Sequence, residues 1–258
     1  MSPNVIPGAE PWSFAGEAER ARVGIVVSHG FTGNPCSTRP LAEALARQGF
    51  AVELVRLPGH GTSVLDMMKT RYADWREEVE HHAALLESRG CRVVLVGLSM
   101  GGTIALDIAS DAGDRIAGVV TINAPVLNRE GLLARMAPLL EKVLPLVPAA
   151  SAGLAKNDIA KGGDEKAYAW VPAAPANSVL VELPRIRRAL RSMTVPVLVA
   201  QSPQDHSVDP ENATAIARLC AGPVETLSLT RSHHVATLDW DFELLVDRIT
   251  RFADRVGA

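Results

Sequence analysis

The stretch Arg92-Val93-Val94-Leu95-Val96-Gly97-Leu98-Ser99-Met100-Gly101-Gly102 decides the fold. Arg92 to Val96 is almost unbroken in aliphatic residues and reads as a strand covered on both faces. From Met100 to Ala109 the spacing turns helical. Between the two lies G-x-S-x-G, Gly97 to Gly101. A strand that enters a helix through so tight a turn has no room for a Cβ on either flank, and Gly97 and Gly101 provide that room. Such a turn pushes Ser99 out at the carboxyl end of the sheet. The helix behind it offers unpaired N–H groups and the positive end of its dipole to any anion that forms there. The bare motif is short enough to arise from composition; its place between strand and helix gives it weight.

Outward from this turn the same alternation continues. Val23 to Ser28, Ala51 to Val55, Ala117 to Ile122, Pro196 to Ala200 and Val224 to Leu229 read as further strands. Helical patterns cover Thr38 to Gln48, Tyr72 to Ser88, Pro210 to Leu219 and Trp240 to Val256. This predicts an α/β fold with a doubly wound, mostly parallel sheet. The rhythm breaks between Val126 and about Ser178, where prolines cut the pattern and no strand is expected. Leu132, Leu133, Met136, Leu139, Leu140 and Val143 make a short apolar helical face there. The interval is too long for an ordinary loop. It reads as an inserted cap of short helices, residues 126–178, between core segments 1–125 and 179–258. The other reading is that this face packs on the main core.

With 258 residues, 47% of them apolar and 21% charged, the chain fits one globular domain carrying an insertion. A net charge of −3 with both signs interspersed argues against a nucleic acid or an anionic membrane as a partner bound by bulk charge. Aromatic residues at 4% are too scarce for a base-stacking surface. The cysteines at 36, 91 and 220 form neither a disulfide framework nor a CxxC pair, as expected in a reducing compartment. No signal-peptide pattern and no apolar run of spanning length is visible, so the expected location is cytoplasmic.

A serine is a poor nucleophile without a base, and the base needs an orienting acid. The segment Gln201 to Pro210 follows a strand and contains Asp205 and Asp209. Asp209 precedes Pro210 and Glu211, which is the pattern of a helix N-cap with proline at the first helical position. Asp205 has no such structural task and is the preferred acid. Arg231-Ser232-His233-His234-Val235 lies beyond the last strand, so the order Ser, Asp, His is complete with each member in a loop after a strand. Spacing does not separate His233 from His234. His81 and His82 fall on a charged helix and read as solvated, and His206 reads as exposed. HExxH, G-K-[ST] and G-x-G-x-x-G are all missing from the sequence.

These residues make the chain resemble the α/β-hydrolase superfamily, and more narrowly its bacterial carboxylesterase and monoacylglycerol lipase group. The resemblance rests on His29-Gly30-Phe31-Thr32-Gly33-Asn34, Leu57-Pro58-Gly59-His60-Gly61-Thr62, the Gly97 to Gly102 turn, Gln201 to His206, and Ser232 to Asp239. Together they span nearly the whole chain in the expected order. In that group the catalytic imidazole stands just before the valine, which selects His234; His233 occupies a position that is commonly tyrosine. The resemblance also assigns an oxyanion hole to the backbone N–H groups of Phe31 and Met100. His29 is expected to pin its turn and His60 to fix its loop. In the monoglyceride-cleaving members a glutamate before the Ala-Tyr pair contacts the glycerol hydroxyls, and Glu165 holds that position here. A solvated surface acid is the competing reading of Glu165.

The resemblance thus implies a serine hydrolase that cleaves carboxylic esters, monoacylglycerols of short to medium acyl chain first, through an acyl-enzyme. Ser99 is the expected nucleophile, His234 the base and Asp205 its orienting acid. No metal or organic cofactor is called for. The expected partner is a small-molecule ester, with transient contact between the cap and a lipid surface and no integral membrane segment. Alternatives are a general carboxylesterase, or thioester, C–C or peracid chemistry on the same scaffold. From a different class comes a ligand receptor that binds without turnover, against which the complete Ser, Asp, His order speaks. The three thiols read as structural, with inhibition by crowding the alternative for a modified Cys36, which lies close to the Phe31 turn.

Overall fold

The computed structural model describes residues 4–128, 144–152 and 157–258. In chain order its strands are β1 (Trp12–Phe14), β2 (Val23–Ser28), β3 (Ala51–Leu54), β4 (Arg92–Leu98), β5 (Ile116–Ile122), β6 (Leu146–Pro148), β7 (Trp170–Pro172), β8 (Val197–Gln201) and β9 (Val224–Ser228). The described helices are α1 (Arg39–Arg47), α2 (Val64–Met67), α3 (Tyr72–Ser88), α4 (Met100–Ala112), α5 (Ala173–Leu180), α6 (Leu183–Leu190), α7 (Glu211–Leu219) and α8 (Phe242–Val256).

Successive residues of the central strands enter opposite cores, as the two-residue period of a strand requires. Val93 and Leu95 of β4 join an apolar cluster with Trp75 of α3, Ile104 of α4, Ile186 of α6 and Ile216 of α7. Val94 and Val96 join a second cluster with Leu45 of α1 and Ile249 and Phe252 of α8. The sheet is therefore covered on both faces, which is why its strands carry apolar residues at consecutive positions. Strand order is β1-β3-β2-β4-β5-β8-β9, parallel throughout except for β1. The α/β class and the mostly parallel, doubly wound sheet are as expected from the sequence.

Several elements lie beyond what the sequence pattern shows, α2 among them. β1 pairs antiparallel with β3 at the sheet edge, Trp12 opposite Leu54. It is too short to show a period. The expectation of no strand between Val126 and Ser178 is corrected: β6 and β7 form a two-stranded antiparallel sheet, with Leu146 opposite Pro172 and Val147 opposite Val171. Proline closes both strands, which sequence pattern reads as a break. α6 was also missed, although Leu183, Ile186 and Leu190 share its buried face. The apolar face Leu132 to Val143 lies outside the described residues.

Candidate active site

The turn from β4 into α4 is as tight as the glycines demand. A Cβ on Gly97 would stand 2.1 Å from the carbonyl carbon of Gly101, and one on Gly101 would stand 2.5 Å from Ser28 Oγ. Ser99 sits between them at φ +54° and ψ −121°, a conformation that L-residues rarely adopt and that costs about 1–3 kcal/mol. Its N–H donates to the Ile122 carbonyl at 2.8 Å, which ties the turn to the end of β5. The side chain is left half-exposed at the carboxyl end of the sheet.

Asp205 and His234 come from the loops after β8 and β9. The Asp205 side chain is fully buried, and its Oδ2 lies 2.8 Å from His234 Nδ1. A carboxylate only accepts, so Nδ1 carries the proton and Nε2 is left with its lone pair. Asp205 Oδ1 accepts the N–H groups of Ser207 at 2.7 Å and Val208 at 2.8 Å, and the carboxylate is thereby held in one orientation. Burial alone drives the His234 pKa down. The hydrogen bond and charge of Asp205, with the carboxylates of Glu165 and Asp158, outweigh it and leave the pKa above its ordinary value.

The neighbouring candidates have other tasks. Asp209 Oδ1 accepts the Glu211 N–H at 2.8 Å and so caps α7, although the helix begins one residue later than expected. His233 turns its Nδ1 to Asp158 at 3.2 Å, away from Asp205. His206 is exposed, as expected, with its Nδ1 2.8 Å from the same Asp158 oxygen. His82 corrects the solvated reading: it is largely buried, with Nδ1 3.1 Å from the buried carboxylate of Glu53. His81 is exposed.

A buried asparagine that sequence reasoning missed aligns the two loops. Asn123 follows β5 at φ +51°. Its Oδ1 accepts the Ser202 N–H at 2.8 Å, and its Nδ2 donates to the His234 carbonyl at 2.7 Å. The acid-bearing and base-bearing loops therefore share one side chain.

Across the pocket, the turn after β2 is pinned as expected. His29 Nε2 accepts the Leu57 N–H at 3.2 Å while Nδ1 bonds the Gly30 carbonyl at 3.0 Å. Burial and the neighbouring His60 hold His29 neutral, far below the usual imidazole range. Burial also pulls His60 to about 4. Phe31 meets Trp75 edge-on at 5.8 Å, and Trp75 Nε1–H donates to the Pro58 carbonyl at 2.9 Å. The turn thus rests on an aromatic floor.

Residues 157–168 close the site from above. Asp239 accepts the N–H groups of Ala160 at 2.6 Å, Lys161 at 3.0 Å and His233 at 3.0 Å. Tyr168 Oη donates to the Gly59 carbonyl at 3.0 Å and accepts the Thr62 N–H at 2.8 Å. Asn34 Nδ2 donates to the Lys166 carbonyl at 2.9 Å. The segment presents Glu165 to the pocket that Ser99, His234, Gly30 and Phe31 also line. Glu165 is only 8% exposed, so it is not a solvated surface acid. Its Oε1 accepts the Asn157 N–H at 3.1 Å, and burial raises its pKa.

The arrangement unites an exposed hydroxyl, an oriented imidazole and a buried acid with a helix N-terminus behind the hydroxyl. That is the equipment for acyl transfer through a serine. Among the described residues no helix is long and apolar enough to cross a membrane.

Comparison with known proteins agrees with this geometry. Residues 25–244 match the sequence profile described as "Alpha/beta hydrolase family". The chain is 38% identical over 249 residues to the thermostable monoacylglycerol lipase of Bacillus sp. (strain H-257), covering 96% of this chain and 95% of that protein. It is 24% identical to the carboxylesterase of Bacillus subtilis (strain 168), covering 96% and 97%. A solved structure from the description of LipS and LipT, two metagenome-derived lipolytic enzymes, superposes with a TM-score of 0.89 at 34% identity, covering 98% of this chain and 100% of that one.

Proposed function

Since this chain belongs to the alpha/beta hydrolase family, we propose that it hydrolyses carboxylic esters, monoacylglycerols of short to medium acyl chain first, through an acyl-enzyme on Ser99. One observation carries the reading: Ser99 in its strained turn shares a pocket with a His234–Asp205 pair 2.8 Å apart. His234 Nε2 takes the Ser99 proton as Oγ attacks the ester carbonyl, and Asp205 keeps the imidazole in the tautomer this needs and stabilises the imidazolium. The N–H groups of Phe31 and Met100 receive the oxyanion. His234 then protonates the leaving alcohol, and water repeats the sequence to free the acid.

Glu165 favours a polyol leaving group over a plain alcohol. A buried carboxylate on the pocket wall accepts hydroxyl hydrogen bonds strongly, and a methyl ester leaves that capacity unused. Among the described residues of the inserted segment, Ala149, Ala167 and Tyr168 line the pocket beside Glu165, and this part of the segment acts as the cap that supplies the contact. The similarity to a monoacylglycerol lipase over nearly the whole chain supports the same choice.

Steady-state hydrolysis of 1-monolauroylglycerol beside methyl laurate tests the reading, because the acyl group is held constant. The expected result is a kcat/KM ratio of at least about tenfold for the glyceride, with turnover abolished in a folded Ser99→Ala protein. Equal rates would make a general carboxylesterase the better description. Turnover retained in Ser99→Ala would overturn the mechanism itself.

A further inference from the structure

Outside the reacting groups, three side chains converge on one point at the rim of the site. Asp158 is buried, with its side chain 5% exposed, while His233 is 26% and His206 60% exposed. Asp158 Oδ1 lies 2.8 Å from His206 Nδ1 and 3.2 Å from His233 Nδ1. One ligand atom from each residue can be chosen so that all lie within 4.8 Å of one another. The two rings meet edge to face at 88°, their centroids 4.7 Å apart.

The carboxylate is fixed independently of the imidazoles. Its Oδ2 accepts the backbone N–H of His206 at 3.0 Å and of His234 at 3.3 Å. Oδ1 is thereby aimed at the two rings by the fold. In a tetrahedral zinc site with bonds near 2.0–2.1 Å, neighbouring ligand atoms stand about 3.3–3.4 Å apart. The two Asp158–imidazole edges are already within about half an ångström of that geometry. With each ring in the tautomer that carries its proton on Nε2, one dication would be held by two neutral Nδ1 lone pairs and one carboxylate oxygen. Mixed nitrogen and carboxylate ligands suit zinc, cobalt, nickel or copper rather than magnesium or calcium. The Oδ2 hydrogen bonds would serve as the outer support such ligands use.

We propose that Asp158, His206 and His233 form a binding site for a divalent transition-metal ion of zinc's class. The ion takes no part in hydrolysis. It joins three segments that are otherwise held by hydrogen bonds: residues 157–168, the loop that carries Asp205, and the loop that carries His234. Its effect is to lock the cover of the site onto the two loops beneath it.

Co(II) and Zn(II) are the probes, added to the full-length protein after treatment with a chelator and its removal. One equivalent of Co(II) is expected to produce the intense visible d–d absorption of a tetrahedral ion, and Zn(II) to displace it. Excess Mg(II) is expected to leave the spectrum unchanged. The melting temperature is expected to rise with Zn(II) in the unaltered protein. His206→Ala, at an exposed side chain, keeps the fold; His233→Gln provides a second, independent deletion of a ligand. Each is expected to weaken Zn(II) binding at least about tenfold and to remove the rise in melting temperature. Absence of saturable binding at one equivalent would overturn the site. So would unchanged affinity in both variants, which would locate the bound ion elsewhere, at the thiols or at His81 and His82.

Discussion

Burial drives the His234 imidazole toward its neutral form, while the Asp205 hydrogen bond and the charges of Asp205, Glu165 and Asp158 drive it back and beyond. The net pKa lies above the ordinary 6.5. A base must be neutral to take the serine proton, so activity is present above the raised value and is lost as pH falls through it. The acid limb of kcat/KM for monolauroylglycerol is therefore expected above pH 6.5. Asp205→Asn removes the main contribution that raises the pKa and the correct tautomer, while burial stays. The limb should move to lower pH and kcat should fall by about 10⁴-fold. An unmoved limb would mean that some other group titrates. The placement of Ser99 and Asp205 at the ends of strands was legible because those strands are recognisable. The choice between His233 and His234 was not legible from spacing. It depends on which ring faces Asp205 and which faces Asp158, a matter of loop geometry. Asn123 was invisible for the same reason, its partner His234 being 111 residues away.

Elements that touch two cores were the easiest to read. β4 and β5 are buried along nearly their whole length, and that burial demands the apolar runs seen in the sequence. β6 and β7 are three residues each and closed by proline, so nothing periodic marks them. The loop before α7 divides its two aspartates by task. Asp209 is exposed and caps the helix; the Asp205 side chain is buried and holds His234. Asp209→Ala is accordingly expected to cost about 1 kcal/mol and to lower the melting temperature by roughly 2–4 °C. Its kcat/KM should stay within about twofold of the unaltered protein. Lost activity at unchanged melting temperature would reverse the assignment of the acid.

At the scale of the molecule, the site belongs to the order of the sheet. His29 to Phe31, Ser99, Asn123, Asp205 and His234 follow β2, β4, β5, β8 and β9, which are neighbours in that order. Five adjacent carboxyl ends therefore meet along one edge of the sheet, the place where open α/β sheets hold ligands. This much follows from strand recognition and chain order. What does not follow is the cover, whose position depends on Asp239 and Asn34 reaching in from distant loops and on its own Tyr168 reaching out to Gly59.

Trp75 gives the floor beneath the Phe31 turn an optical signature. The chain has four tryptophans. Trp170 is 48% and Trp240 54% exposed, whereas Trp75 is fully buried against Phe31 and His60. Dissolved iodide should extinguish the emission of the first two and leave that of Trp75. Because His60 becomes a cation only near pH 4, this shielded emission should stay bright through the working range and dim on acidification as the charged ring quenches it. A ligand that loads the Phe31 turn would then register as a change in shielded fluorescence, with no label attached.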